Sequence, residues 1–123
     1  MKVAGLMAGA LTIAVVTAAL AGAQGNPDAA KLKNPAEANA ESLAAGEKTY
    51  QKFCRGCHAR DGGGSIGPSL IDETWVYGST DGEIFTAIQK GTSPRMEAWE
   101  ERIDVPGTWH LVNYIRSLAP KAQ

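Results

Sequence analysis

The sequence predicts a small all-α domain of about four short helices joined by long loops, and three features point to it. Apolar residues recur at helical spacing in three separate segments, two of them led by a capping residue. No alternating run is followed by a hairpin turn. Glycine and proline gather in two stretches between the periodic segments, where loops belong.

The chain opens with Met1-Lys2, an apolar run from Val3 to Leu20 and the small-x-small triplet Ala21-Gly22-Ala23, after which polarity begins at Gln24. This pattern predicts a secretory signal peptide over residues 1–23, cleaved after Ala23, and therefore a periplasmic product. The rival reading is a retained membrane anchor, since Val3 to Ala23 just suffices to span a bilayer. The many Ala and Gly in the run favour export, and no cysteine follows it to carry a lipid. Residues 24–40 are rich in Ala, Asn, Pro and Lys, with apolar bulk only at Leu32, and read as a flexible leader. The folded domain is expected over residues 41–120.

Within that domain Leu43, Gly46, Tyr50 and Phe53 or Cys54 line one face of a first helix running from Glu41 to Phe53. The stretch DGGGSIGPSL after His58 must be a loop passing close to something bulky. A short helix is expected near Ser69 to Glu73. Thr80-Asp81 caps a further helix, carried by Glu83, Ile84, Phe85, Ala87 and Ile88 and stopped by Gly91. Asp104, with Pro106 in the first turn, starts the last helix, whose Trp109, Leu111, Val112, Tyr114, Ile115 and Leu118 form a broad apolar face that ends at Pro120.

A mature chain of about 100 residues is one small domain and gains most from a staple, whether disulfide, metal or tethered cofactor. Twelve basic against thirteen acidic residues, with no basic stretch, exclude an electrostatic nucleic-acid or anionic-lipid surface. No other apolar run is long enough to cross a membrane.

The chemistry lies in Cys54-Arg55-Gly56-Cys57-His58, the pattern for covalent attachment of haem c. Two thiols three residues apart on one helical turn can each add to a haem vinyl group, and the next side chain then falls beneath the iron. Gly56 leaves room for the porphyrin edge, while Arg55 points to water. Three other readings of the pair are weaker. A redox-active dithiol wants a βαβ setting, a zinc site wants four ligands, and a local disulfide leaves the glycine-rich loop unexplained. For the second axial position Met96 is the natural ligand: it is the single Met beyond the signal segment and lies in a loop between two predicted helices. His110 on the last helix is the alternative, and the choice sets the potential, since a thioether favours ferrous iron.

The order of these features resembles the class I cytochrome c family over nearly the whole of Glu41 to Leu118: a helix with Gly46 and Tyr50, then Cys54 to His58, Gly67-Pro68-Ser69-Leu70, Met96 with Trp99, and a final helix with Leu111 and Tyr114. The resemblance implies one haem wrapped by the helices and loops. It implies that Gly46 lets the first and last helices cross closely, with Tyr50 against Leu111 and Tyr114. It further implies that the Pro68 carbonyl orients the His58 ring, that Leu70 packs on the proximal side, and that Trp75, Tyr77 and Trp99 border the haem and bond its propionates. One departure is visible: the residue after the ligating Met is often Pro in that family, whereas here it is Glu97, with Pro94 two residues ahead of Met96.

Iron held on both sides by His58 and Met96 exchanges electrons and takes no substrate, which predicts a carrier and not an enzyme. The expected partners are redox proteins: a periplasmic dehydrogenase or membrane electron-transfer complex as donor and a terminal oxidase or similar acceptor, served by a monomer with no stable membrane insertion after cleavage. A haem left open by Met96 would instead make a gas or peroxide sensor or a weak peroxidase, and a standing dehydrogenase subunit is a third reading. Glu97, Glu100, Glu101 and Asp104 outnumber Arg95 and Arg102 around Met96, which would steer a basic partner.

Overall fold

The computed structural model describes residues 25–92 and 94–119; the predicted signal peptide and Pro120 fall outside the described residues. Four α-helices follow one another, and among the described residues there is no strand. They are α1 (Ala40–Phe53), α2 (Arg55–His58), α3 (Asp81–Lys90) and α4 (Val105–Leu118), preceded by a single 3-10 turn at Ala29–Lys31.

Each long helix begins on a side chain that satisfies an otherwise unpaired backbone amide. Asn39 accepts from the Ser42 amide at the head of α1, and Asp104 accepts from the Gly107 amide at the head of α4. Thr80 and Glu83 form a reciprocal capping box on α3. That helix stops at Gly91, whose φ of 74° a side chain would strain.

The frame of the domain is the crossing of α1 over α4. A Cβ on Gly46 would stand 2.2 Å from the His110 carbonyl oxygen and 2.7 Å from Tyr114 Cβ, so only glycine admits this approach. Next to the crossing Tyr50 is fully buried, with its ring centroid 5.4 Å from that of Tyr114. Helix α3 closes the other side of α4, stacking Phe85 on Trp109 with centroids 4.0 Å apart. Tyr50, Ile84, Ile88, Ile103, Trp109, Leu111, Val112 and Ile115 make one continuous core.

Two expectations are corrected. The region near Ser69 to Glu73 is a run of bends and not a short helix, because the Leu70 amide is drawn back to the Gly62 carbonyl at 2.7 Å and the Ile71 amide to the Ser69 hydroxyl. The segment read as a flexible leader is, from Gly25 to Asn39, a strap seated on α3 and α4. Its 3-10 turn lies so close over α3 that a Cβ on Gly82 would meet the Ala29 carbonyl oxygen at 1.9 Å. Asn34 donates to the Trp109 carbonyl and to Asn113 Oδ1, and Asn113 in turn donates to the Ala36 carbonyl and to the buried Ser42 hydroxyl. Side-chain amides bonded in this way, that of Asn113 buried and that of Asn34 partly so, hold a segment that has almost no apolar bulk.

Candidate functional site

The two cysteines stand where α1 runs out. Cys54 caps α1 and heads α2, so that Cys57 and His58 follow on a single turn, with both their amides bonded to the Cys54 carbonyl. Both thiols are free; Cys54 is half-buried and Cys57 exposed. Burial, with Cys57 adding to it, pushes the Cys54 thiol up to about 12. Among the described residues there is no strand, so the βαβ setting that a redox-active dithiol of the thioredoxin kind wants is absent. No group of three or more His, Cys, Asp or Glu side chains gathers among the described residues, as a closed zinc site would require.

The imidazole of His58 is buried and its Nδ1 lies 2.9 Å from the Pro68 carbonyl oxygen. With Nδ1–H donating there, Nε2 is left as the ring's free lone pair, the arrangement that metal-ligating histidines adopt. The glycine-rich loop explains itself around this ring. A Cβ on Gly67 would come within 2.8 Å of His58 Cε1, and one on Gly64, whose φ is 92°, within 2.6 Å of the Ser69 amide. The bulky object that the loop must skirt is therefore, on this side, the imidazole itself. Sequence reasoning named Gly67 beside Pro68 but gave a role to Pro68 alone, and it did not single out Gly64.

The turn after His58 is fastened from α1. The Tyr50 hydroxyl donates to the Ala59 carbonyl at 2.7 Å, and burial, with Cys54, Tyr114 and Asp61 adding to it, pushes its phenol up to about 12, so the donor persists at neutral pH. Ala59 itself sits at φ 63° and ψ 163°, a region that L residues rarely occupy.

Met96 lies at the end of a tight turn closed by the Thr92 amide on the Met96 carbonyl at 2.9 Å. The segment from Met96 to Ala98 rests directly on Gly91, where a Cβ would meet the Met96 carbonyl oxygen at 2.6 Å and the Ala98 amide at 2.8 Å. Immediately after it the Trp99 amide bonds the Ile88 carbonyl at 3.0 Å. Gly91 thus seats the methionine segment as well as ending α3, a role its sequence position did not reveal.

Cys54, Leu70, Trp75, Met96 and Trp99 all pack, partly buried, on the one core. Tyr77 stands apart from it, 41% exposed. His110 is drawn into the crossing of α1 and α4, its Nδ1 2.8 Å from the Ser42 hydroxyl. Ser42 and Cys54 lie twelve residues apart along α1, about 18 Å by helical rise.

The donor set fits a tethered haem: two free thiols on one turn, then an imidazole with one nitrogen committed to a carbonyl and the other free. Comparison with known proteins agrees. The family described as "Cytochrome C oxidase, cbb3-type, subunit III" matches residues 41–115. The chain is 35% identical over 78 residues to the cbb3-type cytochrome c oxidase subunit FixP of Bradyrhizobium diazoefficiens, covering 61% of this chain and 27% of that protein. It is 32% identical over 78 residues to cytochrome c-L of Methylorubrum extorquens, covering 62% of this chain and 40% of that one. The crystal structure of cytochrome CL from Methylophaga aminisulfidivorans superposes with a TM-score of 0.64 at 27% identity, covering 72% of this chain and 58% of that chain. This chain spans well under half the length of these two curated relatives. It belongs to the cbb3-type subunit III family of c-type cytochromes, with the class I fold and one covalently bound haem c.

Proposed function

We propose that the chain is a periplasmic single-electron carrier in which Cys54 and Cys57 tether the haem, His58 and Met96 hold its iron from opposite sides, and electrons pass from a dehydrogenase or membrane complex to an oxidase or similar acceptor. The observation that carries this reading is the His58–Pro68 contact of 2.9 Å one residue beyond the thiol pair, which presents a single oriented nitrogen. When bound, haem supplies one-electron exchange between ferric and ferrous iron. The residues of the chain do the rest. Pro68, backed by Gly64 and Gly67, fixes the imidazole; Leu70, Trp75 and Trp99 exclude water; the exposed Cys57 marks the edge at which a partner approaches most closely.

Met96 is favoured over His110 as second ligand because His110 is engaged at the far end of α1 from the cysteines, whereas Met96 shares the core surface with Cys54. A sulfur ligand leaves no position for gas or peroxide. The acidic flank around Met96 is partly neutralised within the chain, since Glu97 pairs with Arg102 and Glu100 with Lys90. Steering of a basic partner then rests on Glu101 and Asp104, and association should slow only modestly with salt.

The mass of the exported protein tests the tether and the cleavage after Ala23 together. It should exceed the mature chain by one haem, and both thiols should resist alkylation. A colourless product with two reactive thiols, from a host able to attach haem, would overturn the proposal. A weak far-red band in the ferric spectrum, with no shift of the ferrous spectrum under carbon monoxide, is expected for the Met96 ligand. The relatives named as oxidase subunits favour a second reading, a standing subunit of a larger complex. Recovery from periplasm in a large assembly, and not as free cytochrome, would select it. Among the described residues no helix is long and apolar enough to cross a membrane.

A further inference from the structure

Glu97 stands where related cytochromes often carry the proline that stiffens the methionine loop, and its side chain has a use in this fold. Its carboxylate accepts from Arg102 Nη2 at 2.7 Å, and the guanidinium carbon of Arg102 lies 4.6 Å from the centre of the Trp99 ring. Trp99 in turn packs on Phe53, the residue before Cys54, with centroids 5.4 Å apart. The backbone on either side is already fixed, by Thr92 and Gly91 at Met96 and by Ile88 at Trp99. Only Glu97 and Ala98 lie between those anchors, and they are exposed.

We infer that Glu97, Arg102 and Trp99 form a clamp that replaces the missing proline and keeps the Met96 sulfur seated, making Glu97 and Arg102 positioning residues for the second axial ligand. This rests on the assignment of Met96 given above. Because the ion pair is about half exposed, with side-chain exposures of 50% and 57%, the clamp is weak and sensitive to salt. The proline that it stands in for would be indifferent to salt.

Imidazole titration of the ferric holoprotein reads the clamp, because added imidazole competes with Met96 and bleaches the far-red sulfur band. Arg102→Gln and Glu97→Gln should each bind imidazole about three- to tenfold more tightly than the unmodified protein, with helix content unchanged, as expected for an exposed pair resting on an indole. That is about 0.7 to 1.4 kcal/mol at tenfold per 1.4 kcal/mol. The double variant should be no weaker in clamping than either single one, since both substitutions break the same contact. Raising salt to about 0.5 M should tighten imidazole binding to the unmodified protein and leave the variants unmoved. Arg102→Lys, which keeps the charge but loses the planar stack, should fall between. Unchanged imidazole affinity in both single variants, or salt insensitivity of the unmodified protein, overturns the clamp while leaving Met96 as ligand. Absence of the far-red band from the unmodified protein overturns the ligand assignment and the clamp with it.

Discussion

Replacing Gly46 by alanine tests how strictly the helix crossing is enforced. The added methyl group would lie 2.2 Å from the His110 carbonyl oxygen and 2.7 Å from Tyr114 Cβ. Ordinary contact needs about 3.5 Å, so α1 and α4 must part by about 1 Å. Neither obstacle can rotate aside, one being helix backbone and the other a Cβ. Alanine returns about 1 kcal/mol of helix propensity, whereas overpacking costs about 1–3 kcal/mol and more where backbone meets backbone. Tyr50, Leu111 and Tyr114 share the interface and would be pried apart together. The net loss should be about 2 kcal/mol, which for a domain of this size lowers Tm by about 8–16 °C. Thermal unfolding of the holoprotein followed by far-UV circular dichroism measures it. A Tm equal to or above that of the unmodified protein would refute the claim that this crossing tolerates only glycine.

Three further outcomes are expected. Ala59→Gly should stabilise the protein by about 1 kcal/mol in urea unfolding, because φ 63° with ψ 163° strains any residue with a Cβ and glycine adopts it freely; a loss would mean that the Ala59 methyl group earns its place by packing. Asn113→Ala should cost about 1–3 kcal/mol and open the strap to protease between residues 25 and 39, since it strips partners from Asn34, Ala36 and Ser42; an unchanged digestion rate would show that the strap is held by other contacts. The Thr80 amide and hydroxyl, with the Asn26 amide, hold the Glu83 carboxyl below the usual carboxylate range. Its folded pKa thus lies under the unfolded one, so its contribution is complete above the ordinary carboxylate range and is lost as pH falls through the lowered folded value. Glu83→Gln should therefore lower the urea midpoint at neutral pH and converge with the unmodified protein in acid; parallel curves at every pH would remove the linkage.

Much of this fold was legible because its signals are local. Thr80 and Asp104 cap the helices they appear to cap, Gly91 ends α3 where it should, and Gly46 sits one turn from the Tyr50 that packs on Tyr114. At the site, Cys54 to His58 and Pro68 were readable from spacing and resemblance, and the structure brings His58 and Pro68 together. What escaped depends on partners remote in sequence. The strap looked flexible because Leu32 is its only bulk, yet Asn34 and Asn113 find each other across 79 residues. An amide that bonds at such range leaves no periodic trace. Ser69 to Glu73 carried residues compatible with a helix, but the pull of Gly62 on the Leu70 amide outweighs so short a segment's own preference.

The two flanks of the site are held by different physics, and the difference has a consequence for function. On the His58 side every restraint is uncharged: the Pro68 carbonyl on the ring, Gly64 and Gly67 allowing the loop to close over it, and the Tyr50 hydroxyl holding the turn beyond. Such contacts do not respond to salt and yield only if the loop opens. On the Met96 side the backbone is pinned at Thr92 and Trp99, but the span between them leans on an exposed ion pair. Any partner that brings charge to Glu97 or Arg102 acts on that span and not on His58. On the proposed ligation, with the imidazole fixed and the Met96 sulfur clamped by surface charge, docking would adjust how firmly the methionine is held, and so the potential at which the electron leaves. The measurement that bears on this is the midpoint potential of the unmodified protein against ionic strength. It should fall as salt loosens the clamp, and in Arg102→Gln it should start lower and stay level.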